Sequence, residues 1–131
     1  MSEGKGFPHF GDRLAEAVET RRSCLVVGYD PDLDRLPPSV LEPLRRRLAG
    51  LGEEEALRQA AETVEQVGRT LVEACAPHAV GVKFQFAFFL ALGPWGLATL
   101  RRLIAHAQGL GLVVIADAKP GDIASTSAAY A

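Results

Sequence analysis

The spacing of apolar and polar positions changes several times along this chain. Cys24-Leu25-Val26-Val27-Gly28-Tyr29, Ala79-Val80-Gly81-Val82-Lys83-Phe84 and Leu112-Val113-Val114-Ile115-Ala116-Asp117 are short runs rich in β-branched and aliphatic residues. Such runs, bounded by turn formers, predict buried strands. Between the first two runs, Leu57, Ala60, Ala61, Val64, Val67, Leu71 and Cys75 recur at helical spacing, which predicts a long amphipathic helix. Glu53-Glu54-Glu55 opens it, where the helix dipole favours acids, and Pro77 ends it. Between the second and third runs, Leu97, Leu100, Leu103, Ile104 and Ala107 form another stripe. Gly93-Pro94 starts this helix, and Gly109 and Gly111 stop it. Two shorter helices are expected. One is capped at Gly11-Asp12, carries Leu14, Ala15 and Val18 on one face, and has Arg21-Arg22 near its end. The other runs from Ser39 to Leu48, with Arg45, Arg46 and Arg47 facing solvent. Residues 1–10 read as a loose arm. The order β-α-β-α-β predicts a parallel sheet.

Charges interrupt this pattern where strands end. Asp30 follows the first run and precedes Pro31, which forces a turn. Lys83 stands near the end of the second run. The third run passes into Asp117, Lys119 and Asp122 around Pro120-Gly121. Strand side chains alternate, so Val113, Ile115, Asp117 and Lys119 share one face. Its apolar half is expected in the core, and its charged half at the strand's exit. In a parallel sheet these exits lie on one rim, where α/β enzymes keep their catalytic groups. Each charge alone has a plainer explanation. An Asp-Lys pair can close a strand end, Asp30 can be a turn former, and Lys83 can snorkel at a rim. Three charges around one Pro-Gly turn, directly after an unbroken apolar run, favour a site.

Composition narrows the field. The chain has 131 residues, a formal net charge of −2 and 48% apolar residues, as expected for one globular domain. It is not basic enough to predict a nucleic-acid partner. Cys24 and Cys75 lie in apolar or helical patterns without metal-ligand spacing, so buried free thiols and a cytoplasmic setting are expected. The N-terminus is polar, with no secretory pattern. The uncharged run from Phe84 to Leu100 contains Gly93, Pro94 and Gly96, so no membrane span is expected. Of the 14 basic residues only Lys5, Lys83 and Lys119 are lysines. Arginine stays protonated near neutral pH, whereas lysine can be tuned to exchange a proton. Lysine is therefore sparse here, and two of the three mark strand ends. His78, Gln85 and His106 receive no role.

The string Asp117-Ala118-Lys119-Pro120-Gly121-Asp122-Ile123, followed by Ser125-Thr126 and Ala128-Ala129-Tyr130-Ala131, resembles the active-site motif of orotidine 5′-monophosphate decarboxylases, in their longer-chain bacterial branch. Val27-Gly28-Tyr29-Asp30-Pro31-Asp32 is similar to that family's first-strand motif. Lys83-Phe84-Gln85-Phe86-Ala87-Phe88-Phe89 is similar to its second-strand segment, although Phe84 and Leu90 stand where Pro and Glu are common.

The resemblance implies a (β/α)₈ barrel, of which residues 1–131 would be the N-terminal part, with about the first three βα units. Such a barrel needs about 250 residues, so the phosphate-gripping residues are expected in a half that this sequence does not contain. The chain alone is expected not to turn over substrate. The implied reaction converts orotidine 5′-monophosphate to uridine 5′-monophosphate without cofactor or metal, as the last step of de novo pyrimidine synthesis. Lys119 would stabilise and protonate the C6 carbanion, flanked by Asp117 and Asp122, with Lys83 continuing the alternation of charges. Asp30 and Lys83 would contact ribose. Asp122 and Thr126 would reach the neighbouring subunit's site in a homodimer. The alternatives are a metal-dependent phosphosugar lyase of the hexulose-phosphate synthase type, since D-x-K-x-x-D occurs there too, and an inactive half-barrel.

Overall fold

The computed structural model describes residues 9–119. Helix α1 spans Phe10–Arg21. Its N-cap is His9, whose Nδ1 accepts from the Gly11 amide at 3.2 Å. Neither Gly11 nor Asp12 caps it, and Phe10, expected in the arm, is already helical. Strand β1 is Val26–Tyr29, and a 3₁₀ turn at Leu33–Arg35 follows. Asp32 caps that turn by accepting from the Asp34 amide at 3.1 Å. Helix α2 is Pro38–Leu48, α3 is Glu53–Cys75, β2 is Gly81–Gln85, α4 is Phe86–Leu90, α5 is Gly93–Gly109 and β3 is Val113–Asp117. The sequence pattern gave no warning of α4. No helix among the described residues is long and apolar enough to cross a membrane.

The three strands form one parallel sheet in the order β1-β2-β3. Gly28 pairs with Lys83 and Lys83 with Ile115; Tyr29 pairs with Phe84 and Phe84 with Ala116; Gln85 pairs with Asp117. Register partners share a face, so two sets of side chains separate cleanly. Val27, Tyr29, Val82, Phe84 and Val114 pack with Ala60, Ala61, Val64 and Val72 of α3 and Leu100, Leu103 and Ala107 of α5. The rings of Tyr29, Phe84 and Phe89 meet edge-on at 6.1–6.4 Å, a preferred aromatic geometry. The Tyr29 hydroxyl, buried between sheet and helix, donates to the Val64 carbonyl at 2.7 Å.

The opposite set holds Val26, Gly28, Lys83, Ile115 and Asp117, and none of these belongs to the core. This corrects half of the expectation for β3: Val113 is buried as expected, but Ile115 is only half-buried. Val113 and Ile115 do share a face with Asp117, but the helix-packed residue of that strand is Val114. The cause is register. Val114 lies beside Val82, whose side chain faces the helices.

Helix α5 approaches α4 at Gly96 and α3 at Gly68, over small residues. A Cβ on Gly96 would fall 1.9 Å from the Phe89 carbonyl oxygen, and one on Gly68 2.8 Å from both Tyr29 and Leu103. Thr99 donates to the Ala61 carbonyl at 3.3 Å, and Arg102 bridges to Glu65 at 2.7 Å. Leu97, expected in the stripe, is exposed, whereas Gly96 and Thr99 are buried. Cys24 is exposed and Cys75 half-buried, against the expectation of two buried thiols. Cys24 precedes β1 rather than lying in it, so no helix covers it.

Helix α1 buries no residue, yet Arg21 in its last turn ties it down. One guanidinium nitrogen donates to the carbonyls of Ala76 and Ala79 at 2.5 and 3.3 Å, and another to that of Leu110 at 2.6 Å. Ala76 and Leu110 are the C-caps of α3 and α5. Helix C-termini present unsatisfied carbonyls and negative dipole ends, and this single cation meets both.

Candidate active site

The parallel strands run toward one rim; Asp30 and Asp117 stand at strand ends there, while Lys83, expected at an end, lies in the middle of β2. Asp30 directly follows β1. Lys83 is the third residue of β2, and Asp117 the last of β3. Lys83 Nζ lies 3.3 Å from Asp30 Oδ1, with side-chain exposures of 30% and 49%. At that exposure an ion pair contributes about 0–1 kcal/mol, too little to make stability its purpose. The Lys83 stem crosses Gly28, where a Cβ would lie 3.6 Å from Lys83 Cε. A glycine beneath the lysine leaves its path along the sheet open.

Asp117 meets a residue to which the sequence reading gave no role. Gln85 Nε2 donates to Asp117 Oδ2 at 3.4 Å. Gln85 is buried at 3% exposure, and its Oε1 is buried without a hydrogen-bond partner among the described residues. The missed signal was one of strand length. Ending the second strand at Phe84 left Gln85 off it. Extending the strand by one residue puts Gln85 two positions past Lys83, on the same face.

Lys119 lies two positions beyond the end of β3 and is exposed. Among the described residues it has neither an ion pair nor a side-chain hydrogen bond. Asp122 and Thr126 lie outside the described residues. His106, which received no role, sits on α5 with Nε2 3.0 Å from Glu73 Oε1, though not aligned as a hydrogen bond. Arg45, Arg46 and Arg47 are exposed as expected; Arg47 reaches Thr63 Oγ1 at 2.7 Å, and Arg45 lies 3.8 Å from Asp34. Among the described residues no group of three or more His, Cys, Asp or Glu side chains could hold a metal ion.

Comparison with known proteins shows what the chain as a whole is similar to. Over 122 residues the chain is 38% identical to orotidine 5′-phosphate decarboxylase of Rhodopirellula baltica, covering 93% of this chain and 38% of that protein. Over 124 residues it is 39% identical to the Deinococcus radiodurans protein of the same name, covering 95% and 38%. Over nearly its whole length the chain corresponds to the N-terminal part of proteins named orotidine 5′-phosphate decarboxylase. A Streptomyces avermitilis crystal structure assigned to this family superimposes with a TM-score of 0.62 at 36% identity, over 99% of this chain and 40% of that one. A Toxoplasma gondii structure with a similar assignment gives 0.60 at 29% identity, over 93% and 35%. No family model matches. The chain thus spans little more than a third of these decarboxylases. Its parallel sheet of three strands, alternating with helices, corresponds to about the first three βα units of their barrel.

Proposed function

We propose that this chain supplies the first strands, and with them the charged rim, of an enzyme that decarboxylates orotidine 5′-monophosphate to uridine 5′-monophosphate. The observation that carries this reading is that Lys83 and Asp117 share one face of the parallel sheet, with Asp30 just past β1 and 3.3 Å from Lys83 Nζ. Loss of carbon dioxide leaves negative charge at C6 of the pyrimidine. A site that uses no electron sink must meet that charge electrostatically and then protonate the carbon. Lys119 is the cation and proton donor in this proposal. Asp117 and Asp122 flank it in the sequence. The Asp30–Lys83 pair faces the ribose. Asp122 and Thr126 serve the neighbouring site of a homodimer in the cytoplasm. Residues 1–131 form the N-terminal part of the barrel domain, and the phosphate grip comes from the rest of it.

The test is decarboxylation of orotidine 5′-monophosphate by a chimera. This chain is joined to the remaining length of the Deinococcus radiodurans relative, beside the chain alone. The chimera turns over and the chain alone does not. Lys119→Ala in the chimera lowers kcat by about 10²–10³ or more, the scale of losing a preorganised electrostatic group. Unchanged turnover withdraws Lys119 from the chemistry. Mixing Lys119→Ala and Asp122→Ala chimeras restores part of the activity if the site is shared; no restoration counts against the shared site.

A further inference from the structure

Gln85 is an unusual residue to find buried at a strand end. Its two polar ends are treated differently: Nε2 donates to Asp117 Oδ2 at 3.4 Å, while Oε1 is buried and unpartnered among the described residues. The chemistry fixes which end is which. Turning the amide over would set its oxygen against a carboxylate, and neither can donate. A buried, half-satisfied amide weakens a fold relative to an apolar side chain of the same shape. Nor does it serve its own helix. Gln85 is the N-cap residue of α4, yet its side chain makes no capping hydrogen bond. The side chain spends its one good donor on a neighbouring strand, on a carboxylate at the rim.

We propose that Gln85 is the positioning residue for Asp117. This rests on the reading above that Asp117 belongs to the active site. Asp117 ends β3 and is half-exposed, so its carboxylate has several rotamers open to it. Gln85 has none to spare, because it is packed at 3% exposure. Donation from that fixed amide selects the rotamer in which Oδ2 is tied to β2. At 3.4 Å the contact is longer than a typical N–H···O hydrogen bond, so it orients the carboxylate more than it binds it. The selectivity of the arrangement comes from the register, since Gln85 and Asp117 are direct cross-strand partners.

The experiment compares isotopically labelled chain with its Gln85→Leu variant, which keeps the volume and removes the donor. Three-bond couplings report the χ1 populations of Asp117. One dominant rotamer is expected in the native chain and an averaged set in Gln85→Leu, with thermal stability unchanged or raised. Identical rotamer populations in the two overturn the proposal. Should Gln85→Leu fail to fold, the reverse measurement decides: hydrogen exchange of the Gln85 side-chain amide accelerates at least several-fold in Asp117→Ala, and an unchanged rate overturns the proposal. A kinetic arm in the active chimera separates this inference from the reading on which it rests. Gln85→Leu lowers kcat by about 10–10²-fold, as small misplacements of a reacting group do, and leaves KM within a few-fold. Full turnover in Asp117→Ala sinks the active-site reading. Loss of turnover in Asp117→Ala with none in Gln85→Leu sinks the positioning role alone.

Discussion

Lys83 Nζ and Asp30 Oδ1 stand 3.3 Å apart, closing the gap between the ends of β1 and β2. The pair is half-exposed, so its part in holding the fold is small, and the proposed function gives it a substrate to contact. Lys83→Ala is therefore expected to change unfolding free energy by no more than about 1 kcal/mol, measured by urea titration of the chain. In the chimera the same change should lower kcat/KM by at least about tenfold, as loss of about 1.4 kcal/mol in the transition state would. A stability loss of several kcal/mol with unchanged turnover would make the pair a structural clasp instead.

Gly28 gives a graded test of the same pair. A Cβ there would meet Lys83 Cε at 3.6 Å, an ordinary contact, so Gly28→Ala should fold normally and leave turnover in the chimera within a few-fold. Gly28→Ile, a good strand former, projects a branched side chain into the lysine's path. It should keep the fold yet raise KM, because Lys83 is pushed away from Asp30. Equal KM values for the two variants would show that the stem's route over the glycine is immaterial.

Tyr29 links stability to alkaline pH. Burial pushes its hydroxyl well above the ordinary value of 10.0. Between that value and the raised one, the unfolded chain gives up this proton and the folded chain keeps it. Fewer protons on the unfolded state mean that stability falls as pH rises. The contribution is intact below pH 10 and is lost above it, with a slope of up to about 1.4 kcal/mol per pH unit. Tyr29→Phe should remove this dependence and, by deleting the bond to the Val64 carbonyl, cost about 0.5–1.5 kcal/mol at neutral pH. Denaturant midpoints between pH 8 and 11 check both.

Gly96 is the tightest point between α4 and α5. The oxygen that a Cβ would strike, 1.9 Å away, is the backbone carbonyl of Phe89 and cannot swing aside like the end of a side chain. Gly96→Ala should therefore destabilise by about 1–3 kcal/mol or more, despite alanine's better helix propensity. A thermal midpoint equal to the native one would mean that α4 moves freely.

The alternation of the chain, and the strand ends that carry charge, were legible because period and proline punctuation are local properties. That reading singled out Asp30, Lys83 and Asp117, and the family resemblance gave Asp30 and Lys83 their expected roles; Lys83 lies mid-strand rather than at an end. What escaped it is set by contacts between distant segments. Val114, not Ile115, faces the helices because Val82 beside it does, and no pattern within β3 announces that. Helix α4 is five residues long, and Phe86-Ala87-Phe88-Phe89 reads equally well as strand by composition. Gln85 was passed over because the expected strand stopped one residue short. Cys24 was expected in the core because the first strand was begun two residues too early.

Arg21 shows how misleading apolar burial can be as a guide to what may be cut away. Judged by its side chains, the first helix is ornament, and a minimal version of this fold would be started at β1. Such a version would leave three backbone oxygens, at Ala76, Ala79 and Leu110, without the donor that serves them all. The smallest stable piece of this domain must begin upstream of residue 21, for a reason that lies wholly in its polar groups.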